Sequence, residues 1–233
     1  MLTRRTFCGG ALLLVVPACG SRDPGPPAAA DRPASIAGWP IPACTKLSPT
    51  RFAILAAAMD ALIPEVEGAG GATSANAAWY LDQLLGAFDT DPPRIFAGGP
   101  YSGRHGGHDG FDSWQRLTRV EEIRWRLYIE GSMGLAEREF GGPVKGLVDV
   151  YAEGLDALGE SFASDSYDDR RAALTNADPA FLAVLYGHAV EGTYGDPAYG
   201  GNAGFVGWEG IDYEGDRQPL GYTAAQMARP QDG

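Results

Sequence analysis

The chain has 233 residues, with 18 Lys and Arg against 30 Asp and Glu and a formal net charge of −12. That acidity speaks against a nucleic-acid partner, whose phosphates require a basic face, and against adsorption of the protein surface to anionic lipid. Its three cysteines form no C-x-x-C or C-x-x-C-H spacing, so the chain has no frame for covalent haem or an iron–sulfur cluster.

The first eighteen residues read as a twin-arginine signal peptide. Thr3-Arg4-Arg5-Thr6-Phe7 places two arginines ahead of an apolar run from Gly9 to Val16. That run is shorter than the roughly 20 apolar residues a membrane-spanning helix needs, and a basic start followed by a short apolar stretch is the pattern of a removable export signal. Val16-Pro17-Ala18-Cys19 then resembles a bacterial lipobox, which would make Cys19 a lipidated anchor; ordinary cleavage with Cys19 as a bystander is the alternative. Residues 19–46 carry Pro24, Pro26, Pro27 and Pro33 and read as an extended tether. The expected location is the periplasm, held to the membrane by lipid on Cys19. Cys44 would then be the one thiol left, either buried and free or paired with another chain.

Residues 47–233 read as a single all-α domain of five to six helices, closed by a long irregular segment rich in glycine and aromatics. Ser48-Pro49 offers an N-cap with Pro in the first turn. Phe52, Leu55, Met59, Leu62 and Ile63 follow at helical spacing until Pro64. After a Gly68–Gly71 loop, Thr73 or Ser74 is expected to start a second helix bearing Leu81, Leu84, Leu85 and Phe88. A glycine-rich loop spans residues 97–110. Thr118 with Glu121 predicts a capping box, and Val120, Ile123 and Leu127 are expected to share a face. Gly131 and Gly134 mark a close backbone approach or a helix end. Pro143 is expected to open a helix with the stripe Val144, Leu147, Val148, Tyr151, Leu155, Leu158 and Phe162. Asp178-Pro179 starts a last helix with Phe181, Leu182, Leu185 and Ala189 inward. From Gly192 to Tyr222 the periodicity fades, and the aromatics there predict a segment that wraps over the helices or over a partner.

Three constellations could carry chemistry. Arg104-His105-Gly106-Gly107-His108-Asp109 holds metal-ligating types, but no two share a helix face. His188 with Glu191 could serve acid–base work or ligate iron in a bundle, yet three histidines are too few for a di-iron set; a hydrogen-bonded histidine fixing the start of the following loop is the simpler expectation. Asp196, Asn202, Asp212, Glu214 and Asp216 are calcium-ligand types without EF-hand spacing, and turn formation explains them better. No G-x-S-x-G elbow, Walker loop or dinucleotide fingerprint is present.

The run Glu191-Gly192-Thr193-Tyr194-Gly195-Asp196-Pro197-Ala198-Tyr199-Gly200-Gly201-Asn202, preceded by His188 and followed by Gly207-Trp208, resembles the C-terminal hallmark of the gluconate 2-dehydrogenase subunit 3 family. Leu47-Ser48-Pro49, a helix ending Leu62-Ile63-Pro64-Glu65, and the twin-arginine signal agree with it. After Trp208 the chain departs from that pattern, with Glu209-Gly210-Ile211-Asp212 where the family tends to carry an apolar pair and then Gly. The resemblance implies a non-catalytic accessory subunit that binds no cofactor or metal itself. Its partner would be an FAD-dependent dehydrogenase of the glucose–methanol–choline type, acting on CH–OH groups of sugars, sugar acids or alcohols, with a cytochrome c often taking the electrons. Tyr194, Asp196, Pro197, Tyr199, Gly200, Gly201, Asn202 and Trp208 are the candidate partner contacts, or else a lid on the chain's own fold. Cys44 is the candidate intersubunit disulfide. A stand-alone periplasmic metalloenzyme and a ligand-binding lipoprotein are the alternatives from other classes.

Overall fold

The computed structural model describes residues 46–67, 69–90, 93, 95 and 117–213. Among these residues the protein is all-α, with seven α-helices where five to six were expected. They are α1 (Pro49–Leu62), α2 (Ala77–Leu85), α3 (Arg119–Ile129), α4 (Leu147–Leu158), α5 (Tyr167–Thr175), α6 (Pro179–Tyr194) and α7 (Val206–Gly210). The only pairing of strand type among them is two isolated bridges, Val66 with Ala69 and Gly131 with Lys145.

Helix α1 is the centre. Ser48 caps it, accepting from the Arg51 amide at 3.3 Å, and Pro49 begins its first turn. Phe52, Ile54, Leu55, Ala57, Ala58, Met59 and Ala61 are all buried, so the helix is covered on nearly every side. A helix apolar all round belongs in a core rather than on a surface. Around it pack α2, α4, α5 and α6, and α2 also runs along α6. Tyr151, Leu155, Phe162, Phe181 and Leu185 complete the main core. Asp82 of α2 is fully buried and accepts from the amides of Lys46 and Leu47 at 3.0 and 2.8 Å, which pins the chain where it enters the domain.

Several boundaries differ from the sequence expectation, each for a local reason. Helix α2 starts at Ala77 because residues 72–76 form turns and Asn76 sits in the left-handed region at φ 60°. Ser74 spends its hydroxyl on the Gly71 backbone instead of capping a helix. The Thr118–Glu121 capping box forms as expected, but Val120 is exposed and Ile129 is the residue of α3 that is buried. Helix α4 starts at Leu147, not Pro143, because Ser132 takes up both the amide and the carbonyl of Val144. Helix α5 was not anticipated; Ser166 caps it by accepting from the Asp169 amide, with Asp168 and Asp169 in its first turn. Helix α6 continues through Gly192 to Tyr194, and the segment after it holds two short 3₁₀ turns and α7.

Candidate functional site

Two features meet at the C-terminal half of α6. One is a polar cluster that is buried at His188 and Tyr151 and reaches the surface at Tyr128 and Glu191. His188 of α6 is 4% exposed, and both its ring nitrogens are engaged. Nδ1 lies 2.8 Å from the Tyr151 hydroxyl of α4, and Nε2 lies 3.2 Å from the Tyr128 hydroxyl of α3. A neutral imidazole has one donor and one acceptor, so a tyrosine on each side satisfies both. One turn on, Glu191 accepts from the Tyr80 hydroxyl of α2 at 2.9 Å. Burial lowers the His188 pKa, with the nearby Glu191 charge opposing. Burial, reinforced by the Glu191 carboxylate, pushes both Tyr80 and Tyr151 well above the ordinary phenol value. At neutral pH the phenols therefore hold their protons, and their hydrogen bonds cross-link α2 to α6 and α3 and α4 to α6.

The second feature is the family-like run that follows. Three close backbone approaches fold it back on the domain. The Cα of Gly192 faces Ala77 of α2, Gly201 lies against the Gly192 carbonyl, and Gly207 lies against the Thr193 carbonyl; a Cβ at any of the three would overlap its neighbour. Asn202 is fully buried in the left-handed region at φ 44°. Its Nδ2 donates to the Gly195 carbonyl at 3.0 Å, its Oδ1 accepts from the Gly207 amide at 2.9 Å, and its own amide donates to the Gly192 carbonyl at 2.7 Å. The Ala203 amide reaches the Ala75 carbonyl at 3.0 Å, tying the run to the α1–α2 connection. Trp208, 2% exposed, donates its indole N–H to the Tyr194 carbonyl at 2.7 Å. Phe205 lies tilted against it and Tyr213 meets it edge-on, at centroid distances of 5.6 and 5.2 Å.

The candidate positions thus divide. Gly201, Asn202 and Trp208 are buried within the chain, Tyr194, Asp196, Pro197 and Gly200 are half-buried, and Tyr199 is exposed. His188 is hydrogen-bonded as expected, but to tyrosines of α3 and α4 rather than to the loop after it; Asn202 and Trp208 hold that loop. Of the calcium-ligand types, Asn202 is occupied by backbone and Asp212 is exposed. No group of three or more His, Cys, Asp or Glu that could hold a metal occurs among the described residues. Arg4, Arg5, Cys19, Cys44, His105, His108, Asp109, Glu214 and Asp216 lie outside the described residues. The sequence reading missed the roles of Tyr80, Tyr128 and Tyr151, because a tyrosine in a helical stripe gives no sign of where its hydroxyl points.

The site is thus a helical domain whose C-terminal glycine-rich run is folded back and hydrogen-bonded to its own core. The chain belongs to the gluconate 2-dehydrogenase subunit 3 family, whose model matches residues 49–215. No curated protein and no solved structure matches it.

Proposed function

We propose that this chain is the non-catalytic small subunit of an exported, flavin-dependent dehydrogenase of the glucose–methanol–choline type. It assists assembly and stability of the catalytic subunit, which holds the FAD, and it carries the export signal for both. The family match over residues 49–215 supports a subunit of a gluconate-dehydrogenase-type complex. The observation that carries the accessory reading is how the hallmark residues are used. Asn202, Gly207 and Trp208 hold the chain's own fold together, and His188 is closed off between two tyrosines. Residues spent in this way build a rigid exterior for another protein to dock on.

Flavin is inserted in the cytoplasm, so a loaded catalytic subunit must cross the membrane folded, and a twin-arginine signal on the small subunit would carry both. Lipid on Cys19 would then keep the complex at the membrane, and Cys44 is the candidate for a disulfide to the partner. No helix among the described residues is long and apolar enough to cross a membrane. The test is co-expression of the full chain with a glucose–methanol–choline type flavoprotein from the same genome. A yellow, dye-reducing complex should co-purify, and it should stay in the cytoplasm when Arg4→Lys and Arg5→Lys are combined. A colourless chain exported alone, beside a flavoprotein active and exported without it, would refute the proposal.

A further inference from the structure

Between α3 and α4 the chain makes an excursion that gives the core little and is nonetheless tightly built. Its base is closed by the Gly131–Lys145 bridge and by Ser132, whose amide donates to the Val144 carbonyl and whose hydroxyl accepts from the Val144 amide, both at 2.9 Å. Gly131 and Gly146 meet back to back, where a Cβ on either would strike the other's backbone. Arg138 is 8% exposed and braces the inside, donating from Nη1 to Glu130 at 2.8 Å and to the Gly131 carbonyl at 3.2 Å. Arg119 pairs with Glu137 from α3.

On this rigid frame the side chains that should be hidden face out. Phe140 is fully exposed, Met133 is 69% exposed, and Leu135 and Val144 are exposed as well. Met133 is held there at φ 51°, a conformation that costs a non-glycine residue energy. Positions 134, 141 and 142 face open space, so the loop projects. An ordered, projecting, apolar knob is the shape of an interface anchor.

Charge narrows the occupant. The chain carries −12 overall, yet most charges at and beside the knob are paired: Arg126 with Glu122 and Glu130, Arg138 with Glu130, Arg119 with Glu137, and Lys145 with Glu153, which leaves Glu139 as the charge of residues 133–144 outside these pairs. A rim whose one charge outside these pairs is acidic supplies no excess of Lys and Arg for anionic lipid and leaves the apolar side chains as its main means of recognition. A convex knob requires a concave receptor, which a second identical knob does not provide. We propose that the knob of residues 133–144 seats in an apolar pocket on the catalytic flavoprotein subunit; this rests on the accessory-subunit reading above.

The test uses the full chain and the purified flavoprotein. Combined Phe140→Ser and Leu135→Ser should weaken the complex by about tenfold or more, as interface anchors do, with circular dichroism and the thermal midpoint unchanged because both side chains are exposed; Met133 is left in place because its sulfur accepts from Arg138. Val66→Ser, at an exposed apolar position outside the knob, should bind as the wild type does. The benzophenone analogue of phenylalanine at Phe140 should photo-crosslink to the flavoprotein, a readout independent of variant folding. If wild type and the double variant hold the flavoprotein equally, the knob assignment is overturned and the accessory reading stands. If the wild-type chain does not hold the flavoprotein at all, both fall. Loss in the double variant of self-association, or of binding to vesicles of phosphatidylglycerol and phosphatidylethanolamine, with flavoprotein binding intact, would overturn it in favour of a second copy or a membrane.

Discussion

Asn202→Ala removes a side chain that makes two hydrogen bonds inside the fold, to the Gly195 carbonyl at 3.0 Å and from the Gly207 amide at 2.9 Å. The Gly207 amide is buried and has no water to turn to, which costs about 1–3 kcal/mol. The Gly195 carbonyl is only partly buried, so its loss is the smaller. Alanine must also hold φ near 44°, the left-handed region, adding roughly 1–2 kcal/mol that asparagine partly avoids. Together these predict a loss of about 2–4 kcal/mol, a large share of an ordinary domain's stability. Urea denaturation of the purified chain measures the total, and amide exchange at Gly207 shows whether the loss begins in the lock. Asn202→Gly removes the same two bonds without the backbone penalty and should be milder than Asn202→Ala by about 1 kcal/mol. A loss under about 0.5 kcal/mol for Asn202→Ala, within the range of an ordinary surface change, would refute the lock. Equal losses for the two variants would refute the backbone part of the reasoning.

Two glycines should respond oppositely to alanine. Gly207→Ala drives a methyl into the Thr193 carbonyl and should destabilise by about 1–3 kcal/mol despite better helix propensity, whereas Gly187→Ala, with open space at its Cβ in α6, should stabilise by about 0.5–1 kcal/mol in the same denaturation assay. His188 has a folded pKa below its ordinary value, so the unfolded chain takes up the proton first; stability falls as pH drops through about 6.5 and levels off below the folded value. Relative to His188→Gln, wild type should lose up to about 1.4 kcal/mol per pH unit in that window, and parallel pH profiles would disprove it. Arg170 is 1% exposed, 3.6 Å from Asp60, and its Nε and Nη1 find no hydrogen-bond partner. Asp60→Asn should therefore cost about 3–5 kcal/mol by leaving a buried charge unbalanced, and Asp60→Asn combined with Arg170→Met should recover most of it by thermal unfolding.

The all-α class and the start of three helices were legible because their signals are local. Ser48-Pro49, Thr118 with Glu121, and Asp178-Pro179 act within one turn of chain, and a cap works wherever that turn is placed. Ser166 with Asp169 was an equally local sign of α5, and only its lack of a long apolar stripe concealed it. The run from Glu191 to Trp208 was legible as a pattern, and from it the family. What the run does was not legible. Whether Asn202 and Trp208 face a partner or their own core depends on Gly192 meeting Ala77, more than a hundred residues earlier in the chain, and on the Ala75 carbonyl lying where the Ala203 amide arrives. The hydroxyls of Tyr128 and Tyr151 converge on His188 only because α3, α4 and α6 cross there. Caps and stripes are properties of neighbours along the chain. A buried hydrogen bond across helices, or an apolar side chain left outside at Phe140, is a property of distance in space, and tertiary packing alone decides it.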